Sequence, residues 1–292
     1  VGLIEPVVSA MESPEGWLLD EPLFEPTLAI PKSARDSRNI RHIMLVGTWN
    51  EPDLVGLVRQ AFPSLGPDDP VTLRMTEDVW AKGQLVGAIV GRTEADVLAF
   101  VSERGDQAAR DFARAAVLRL ARRLRNDGDA SGMTAALEER FGWSIAPPTG
   151  YDFFTTNEAE RFVFFRRVRP DRSVFVYWEE GQPDAITEEL AIAWREELAR
   201  RYYDGDTVER RRPLDVQRVD FLGRDAIRIS GWWGNRELVG GGTFRSYCFY
   251  EPTQDRTYMI DTSLFAPGFD KISLMRNLDA IAHTFSSAAE GE

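Results

Sequence analysis

Ser173-Val174-Phe175-Val176-Tyr177-Trp178 decides the fold. The run reads as a strand with apolar residues of both parities, so neither of its faces can be left to water. A sheet that holds such a strand needs a covering layer on each side. Outward from it, residues 142–180 read as three or four short strands, and four more follow near 214–222, 225–233, 243–251 and 256–265. Short connections between successive strands imply antiparallel pairing. Two amphipathic helices supply the layers. One runs from about Thr187 to Tyr203; the other runs from about Asp270 to Ser286, with Ile272, Met275, Leu278, Ile281 and Phe285 on one stripe. The class is α+β with two domains, the second an antiparallel sheet packed with helices.

The first half follows a different pattern. Residues 2–11 read as a helix, and Pro14, Pro22, Pro26 and Pro31 make the next stretch irregular. A strand is expected from Asn39 to Val46, then a helix capped by Asn50 with Glu51, Pro52 and Asp53 in its first turn. Gln84 to Val90 is strand-like, and Thr93 with Asp96 is a capping pair that opens a helix to about Arg125. Phe112, Leu120 and Leu124 fall at helical spacing there, and Arg119, Arg122 and Arg123 read as a solvated face. A short helix from Thr134 to Phe141 precedes Pro147-Pro148, which sets the expected domains at 1–145, an α+β domain with long helices, and 146–292.

Of the 292 residues 43% are hydrophobic, enough for real cores in both domains. A net charge of −12 repels phosphate backbones and anionic lipid surfaces, so nucleic acid is not an expected partner. The single cysteine, Cys248, lies in a strand-like run and reads as a small buried hydrophobe. No stretch is apolar for the length a membrane span needs. Beginning at Val1 rather than Met, the sequence reads as a processed or truncated chain.

Three groups of residues could carry chemistry. Asp127-Gly128-Asp129-Ala130-Ser131-Gly132, closed by Glu138, puts oxygen ligands at positions one, three, five and twelve of a calcium loop, with glycine at six; Asp127, Asp129, Ser131 and Glu138 are the candidate metal ligands. The competing reading is a polar turn between helices, with no cofactor at all. Trp232 and Trp233 end a strand beside Gly240-Gly241-Gly242, near Tyr247, Phe249 and Phe265. Adjacent strand residues cannot both enter one core, so an aromatic ligand surface of Trp232, Trp233, Tyr247 and Phe249 competes with interlayer packing. The glycines themselves read as a hairpin or bulge. Glu179, Glu180 and Asp261 are the carboxylates a hydrolase would use. Trp49-Asn50-Glu51-Pro52 has the lettering of a barrel-glycosidase acid/base segment, but the antiparallel second half excludes that barrel, and the segment reads as a helix cap. With only His42 and His283, histidine triads and multi-histidine metal sites are excluded, and catalytic residues stay unassigned.

Several motifs together resemble a family. Pro148-Thr149-Gly150-Tyr151, Arg201-Tyr202-Tyr203, Gly231-Trp232-Trp233, Gly240-Gly241-Gly242-Thr243-Phe244 and Phe265-Ala266-Pro267-Gly268-Phe269-Asp270-Lys271 resemble domain of unknown function 4837, a family of uncharacterised Bacteroidetes lipoproteins. Glu21-Pro22-Leu23-Phe24, Arg38-Asn39-Ile40 and Asp78-Val79-Trp80-Ala81 extend the resemblance upstream. The chain departs from it at Gly240, where relatives carry Met before the glycines, and it lacks the family's first strand. The second half is also similar to the PsbP-like α/β/α sandwich. The resemblance implies a cell-envelope protein, lipid-anchored on the periplasmic or outer-membrane side, and touching the membrane only through that anchor. It implies a binding or assembly role toward an envelope protein or small ligand rather than catalysis. It assigns no catalytic residues.

Overall fold

The computed structural model describes residues 2–18, 21–29, 39–126, 132–155, 161–203, 205–235, 237 and 240–287. The chain forms two compact units: Val1–Glu15 with Pro22–Arg119, and Gly16–Glu21 with Leu120–Glu292.

The first unit is a three-stranded sheet covered on both faces. Strand β1 (His42–Thr48) pairs in parallel with β3 (Leu85–Gly91), and β2 (Arg74–Glu77) pairs antiparallel with the other edge of β3. All of β3 is buried, as a central strand between two layers must be. Helix α2 (Pro52–Ala61) packs Leu54, Leu57 and Val58 on one face, while α1 (Ile4–Glu12) and α3 (Glu94–Asn126) pack on the other. The α2 N-cap is Glu51 rather than Asn50, and its carboxylate instead accepts from the backbone N–H and the hydroxyl of Thr48. Thr93 and Asp96 close the capping box that opens α3: Thr93 donates to the Asp96 carboxylate and Asp96 N–H to the Thr93 hydroxyl. Arg119 corrects the reading of a solvated arginine face. It is buried and donates to the Gly83 carbonyl, with His42 Nε2 3.3 Å away. Spacing could not reveal this, because the partner carbonyl lies on a turn.

The second unit holds an eight-stranded antiparallel sheet, with helices on both faces, and so has the expected α/β/α arrangement. Its order is β5 (Asp152–Thr155), β6 (Phe162–Arg167), β7 (Asp171–Glu180), β12 (Arg256–Phe265), β11 (Gly240–Glu251), β10 (Arg224–Asn235) and β8 (Thr207–Val208). Strand β9 (Asp215–Phe221) also pairs with β10, below β8. The deciding run behaves as its pattern demands. Val174, Val176 and Trp178 enter the core beneath α6 (Lys271–Ala282), and Phe175 and Tyr177 the core beneath α5 (Glu188–Tyr202). Thr187 caps α5, accepting from Leu190 N–H.

The contacts divide the chain between Arg119 and Leu120, whereas the sequence suggested Pro147-Pro148. Helix α4 (Met133–Phe141), the short strand β4 (Trp143–Ser144) and Ile145 after it bury Leu137, Trp143 and Ile145 in the α6-side core, which ties them to the second unit. Gly16–Glu21 joins the same unit from far upstream. Trp17 is buried in that core, and the Glu21 carboxylate accepts from Ile272 N–H at 2.8 Å, capping α6 in place of Asp270.

Candidate functional site

The α5 face of the second sheet changes character toward the C-terminal end of α5. Ladder pairing aligns Gly231, Phe244, Ser263, Ser173 and Arg166 in one row, and Ile229, Ser246, Asp261, Phe175 and Phe164 in the next. Serines and an aspartate thus replace the branched apolar residues a covered sheet normally carries. A pocket of about 360 Å³ opens over this end, lined in part by Phe164, Ser173, Tyr203, Asp206, Trp233 and Phe265. Two aromatic pairs flank it: Phe164 meets Tyr203 edge-on at 5.6 Å, and Trp233 meets Phe265 at 6.1 Å. Gly242 makes the Trp233 position possible, since a Cβ there would lie 2.9 Å from the indole ring and collide with the Leu264 carbonyl.

Beside the pocket floor sits a charged pair almost free of solvent. Arg195 is 1% exposed and Asp261 0%, and Arg195 Nε donates to Asp261 Oδ1 at 3.3 Å. Ser246 Oγ donates to the same oxygen. The guanidinium stacks 3.9 Å above the Phe244 ring, whose ladder neighbour Ser263 lies on the pocket floor. Neither Nη1 nor Nη2 of Arg195, nor Asp261 Oδ2, nor Trp233 Nε1, has a hydrogen-bond partner among the described residues. A buried polar atom left unpaired costs about 1–3 kcal/mol, so this concentration of them is unusual for a region that only holds a fold together. Burial pushes the Asp261 carboxyl up, against the pull of Arg195. Burial, then Asp261, hold the Tyr203 hydroxyl well above its ordinary range, while Ser173 lies 3.1 Å from it. Asn235 Nδ2 donates to Asp206 Oδ1 at 2.8 Å on the pocket wall.

The four aromatic residues read from sequence divide between the two faces. Trp233 lines the pocket. Trp232 points the other way and acts as a brace, donating from Nε1 to the Trp17 carbonyl at 3.0 Å with the Arg212 guanidinium 4.0 Å from its ring. Tyr247 and Phe249 are buried in the α6-side core, 3% and 0% exposed, and line neither this pocket nor the wider cleft beside it, which corrects their placement on a ligand surface. Gly240-Gly241-Gly242 opens β11 in its antiparallel pairing with β10, and a Cβ at Gly241 or Gly242 would meet neighbouring backbone or the Trp233 ring.

Of the calcium-loop residues, Asp127, Asp129 and Ser131 lie outside the described residues. Glu138 is exposed on α4. That helix begins at Met133, position seven of the loop, so the carbonyl a calcium loop turns toward its ion enters the helical ladder instead. Among the described residues no cluster of three metal-ligating side chains occurs. The hydrolase carboxylates do not converge: Asp261 pairs with Phe175 across the ladder, four residues along β7 from Glu179, and Glu180 meets Arg256. His283 is buried at the end of α6, its Nδ1 2.8 Å from the Asp279 carbonyl.

Sequence reading missed Arg195 entirely. Its signal was present: Ala191, Leu198 and Ala199 define the buried stripe of α5, and Arg195 interrupts it. A second, wider cleft of about 590 Å³ shares Asn235, Gly240 and Phe265 with the pocket but is walled by Glu209, Arg210 and Arg211. There Glu209 accepts from the Arg211 backbone N–H, and Arg210 pairs with Glu196.

Residues 130–284 match the family described as Domain of unknown function (DUF4837), more than half of the chain, and the chain belongs to that family. Among solved structures it is similar to the Ran-binding protein Mog1p of Saccharomyces cerevisiae, at 11% identity over 50% of this chain and 90% of that one, with a TM-score of 0.37. A Bacteroides thetaiotaomicron VPI-5482 protein is 13% identical over 52% of this chain and 47% of that one, with a TM-score of 0.33. LpqN, described as involved in cell envelope biogenesis of Mycobacterium tuberculosis, is 11% identical over 49% and 82%, with a TM-score of 0.32. Scores this low leave the function of all three silent about this chain. No curated protein matches. No described helix is long and apolar enough to cross a membrane.

Proposed function

We propose that this protein is a non-catalytic binding protein of the cell envelope and that it takes a small ligand in the pocket beside Trp233. One observation carries the reading: a pocket of about 360 Å³ has Phe164, Tyr203, Trp233 and Phe265 on its walls, with Ser173, Asp206 and Asn235 among them. Apolar walls with a few convergent polar groups are the general form of a small-molecule site. The scattered carboxylates favour binding over hydrolysis. The envelope setting, with a lipid anchor, rests on the family resemblance alone, and cell fractionation tests it separately.

The binding reading is tested by a fragment screen of the isotope-labelled protein. The Trp233 indole N–H is the reporter, identified by its loss in Trp233→Phe, and the buried Trp143 indole is the control. Hits are expected to move the Trp233 signal and leave Trp143 still. A screen that moves no Trp233 signal, or moves only signals on the opposite face, overturns the reading.

A further inference from the structure

The side chains that line the pocket also limit the chemistry of its ligand, and this step rests on the binding reading above. Their charges cancel. Arg166 and Arg172 stand against Asp171 and Asp206; Arg166 Nε donates to Asp171 Oδ1 at 2.9 Å, and Asp206 Oδ1 accepts from Asn235 at 2.8 Å. An ionic ligand would shed its water here without meeting a net opposite charge to replace it. What the lining offers instead is hydroxyl groups and aromatic rings. Ser263, 7% exposed, lines the pocket, and its hydroxyl has no hydrogen-bond partner among the described residues. Ser173, its partner across the ladder, lies 3.1 Å from the Tyr203 hydroxyl, and a hydroxyl oxygen engaged once still accepts another bond. Phe265, left 40% exposed, lines both this pocket and the wider cleft, and the Trp233 ring is 6.1 Å from it at 44°. C–H bonds polarised by neighbouring oxygens suit the negative faces of such rings, while the hydroxyls of the same molecule suit the serines. A pyranose sugar presents both, and a pocket of about 360 Å³ has room for one such ring.

We propose that the pocket binds an uncharged pyranose sugar, with a C–H face of the ring against Phe265 and Trp233 and its hydroxyls toward Ser263 and Ser173. The test titrates the methyl pyranosides of glucose, galactose and mannose into the full chain at neutral pH, each beside its charged uronide, with cyclohexylmethanol as a ring that carries a single hydroxyl. The Trp233 indole N–H is again the reporter. At least one pyranoside is expected to bind saturably, and at least about tenfold more tightly than its uronide or cyclohexylmethanol. Phe265→Ala removes an exposed ring and is expected to weaken that sugar several-fold with little change in urea stability. If that variant does not fold, Ser263→Ala serves: it removes a hydroxyl with no partner to strand among the described residues, and is expected to weaken the sugar at unchanged stability. Binding of no pyranoside at tens of millimolar overturns the sugar assignment, and so does a uronide or cyclohexylmethanol that binds as tightly. Unchanged sugar affinity in the variants overturns it too, since the sugar then sits elsewhere. The fragment screen separates the two readings: hits at Trp233 with silent sugars overturn the sugar alone, and silence in both overturns the binding reading with it.

Discussion

The two faces of the second sheet both bury an arginine against an aspartate, and they treat the pair differently. Under α6 the network is closed. Arg245 Nη1 donates to Asp279 Oδ2 at 2.7 Å and Nε to Ser230, while the Tyr247 hydroxyl donates to Asp279 Oδ1 at 2.7 Å. Burial alone would raise the Asp279 carboxyl, but Arg245 beside it, then His283 and Tyr247, hold it far below the usual carboxylate range. Under α5 the Arg195–Asp261 pair leaves three polar atoms unmatched among the described residues, and burial raises the Asp261 carboxyl instead. Satisfied networks fix a unique core, whereas partly satisfied ones carry a cost that a bound partner can repay. On the proposed reading, the α6 face serves stability and the α5 face binding.

The largest expected effect breaks the closed side. Asp279→Asn leaves the Arg245 charge buried without its counter-ion and is expected to cost about 3–5 kcal/mol in urea unfolding, because a broken buried pair strands its partner. Smaller, and aimed at the junction of wall and sheet, Gly242→Ala presses a methyl group against Leu264 and Trp233. It is expected to cost about 1–3 kcal/mol by overpacking and to shift the Trp233 indole signal.

The pH dependence separates the two aspartates by sign. Asp279 has its carboxyl lowered on folding, so its stabilisation is present above the unfolded value of about 3.9 and is lost as pH falls below it. Asp261 has its carboxyl raised on folding, so its penalty is present at neutral pH and is relieved as pH falls through the folded value toward about 3.9. As pH falls through the acid range, the advantage of wild type over Asp279→Asn is therefore expected to shrink, while wild type gains stability relative to Asp261→Asn. The smallest effect concerns Cys248. Burial pushes its thiol up to about 12, so a thiol reagent at mildly alkaline pH is expected to label it only at the rate of unfolding.

What was legible in the sequence follows the same division. Elements with strong periodicity stood out: the two-faced run at 173–178, the helices α5 and α6, and the strands from Asp215 to Phe265 all lie where alternation and amphipathic stripes placed them. The capping box at Thr93 was legible because its two partners are three residues apart. Long-range assembly was not. Trp17 and Glu21 carry no local mark of belonging to a core more than two hundred residues away, and the parallel pairing of β1 with β3 across α2 is a non-local choice. At the site, the Trp232-Trp233 pair announced a split between two layers, but its direction depends on register, which sent Trp232 to the Trp17 carbonyl and Trp233 to the pocket. Asp261 stood out as a carboxylate in an apolar strand; its partner was hidden, because an arginine in an amphipathic helix reads as a solvated residue until the stripe around it is counted.

The most direct measurement pairs two conservative substitutions, one per face, and reads both stability and binding for each. Tyr247→Phe removes one hydrogen bond to a buried carboxylate, expected to cost about 1.5–3 kcal/mol in urea unfolding, and should leave the affinity for a fragment-screen hit unchanged. Trp233→Phe should weaken a fragment-screen hit several-fold, read by calorimetry, while shifting stability by less than about 1 kcal/mol, since its indole N–H has no partner to lose among the described residues. If instead Tyr247→Phe weakens the ligand, or Trp233→Phe lowers stability and leaves affinity intact, the division of labour between the two faces is contradicted.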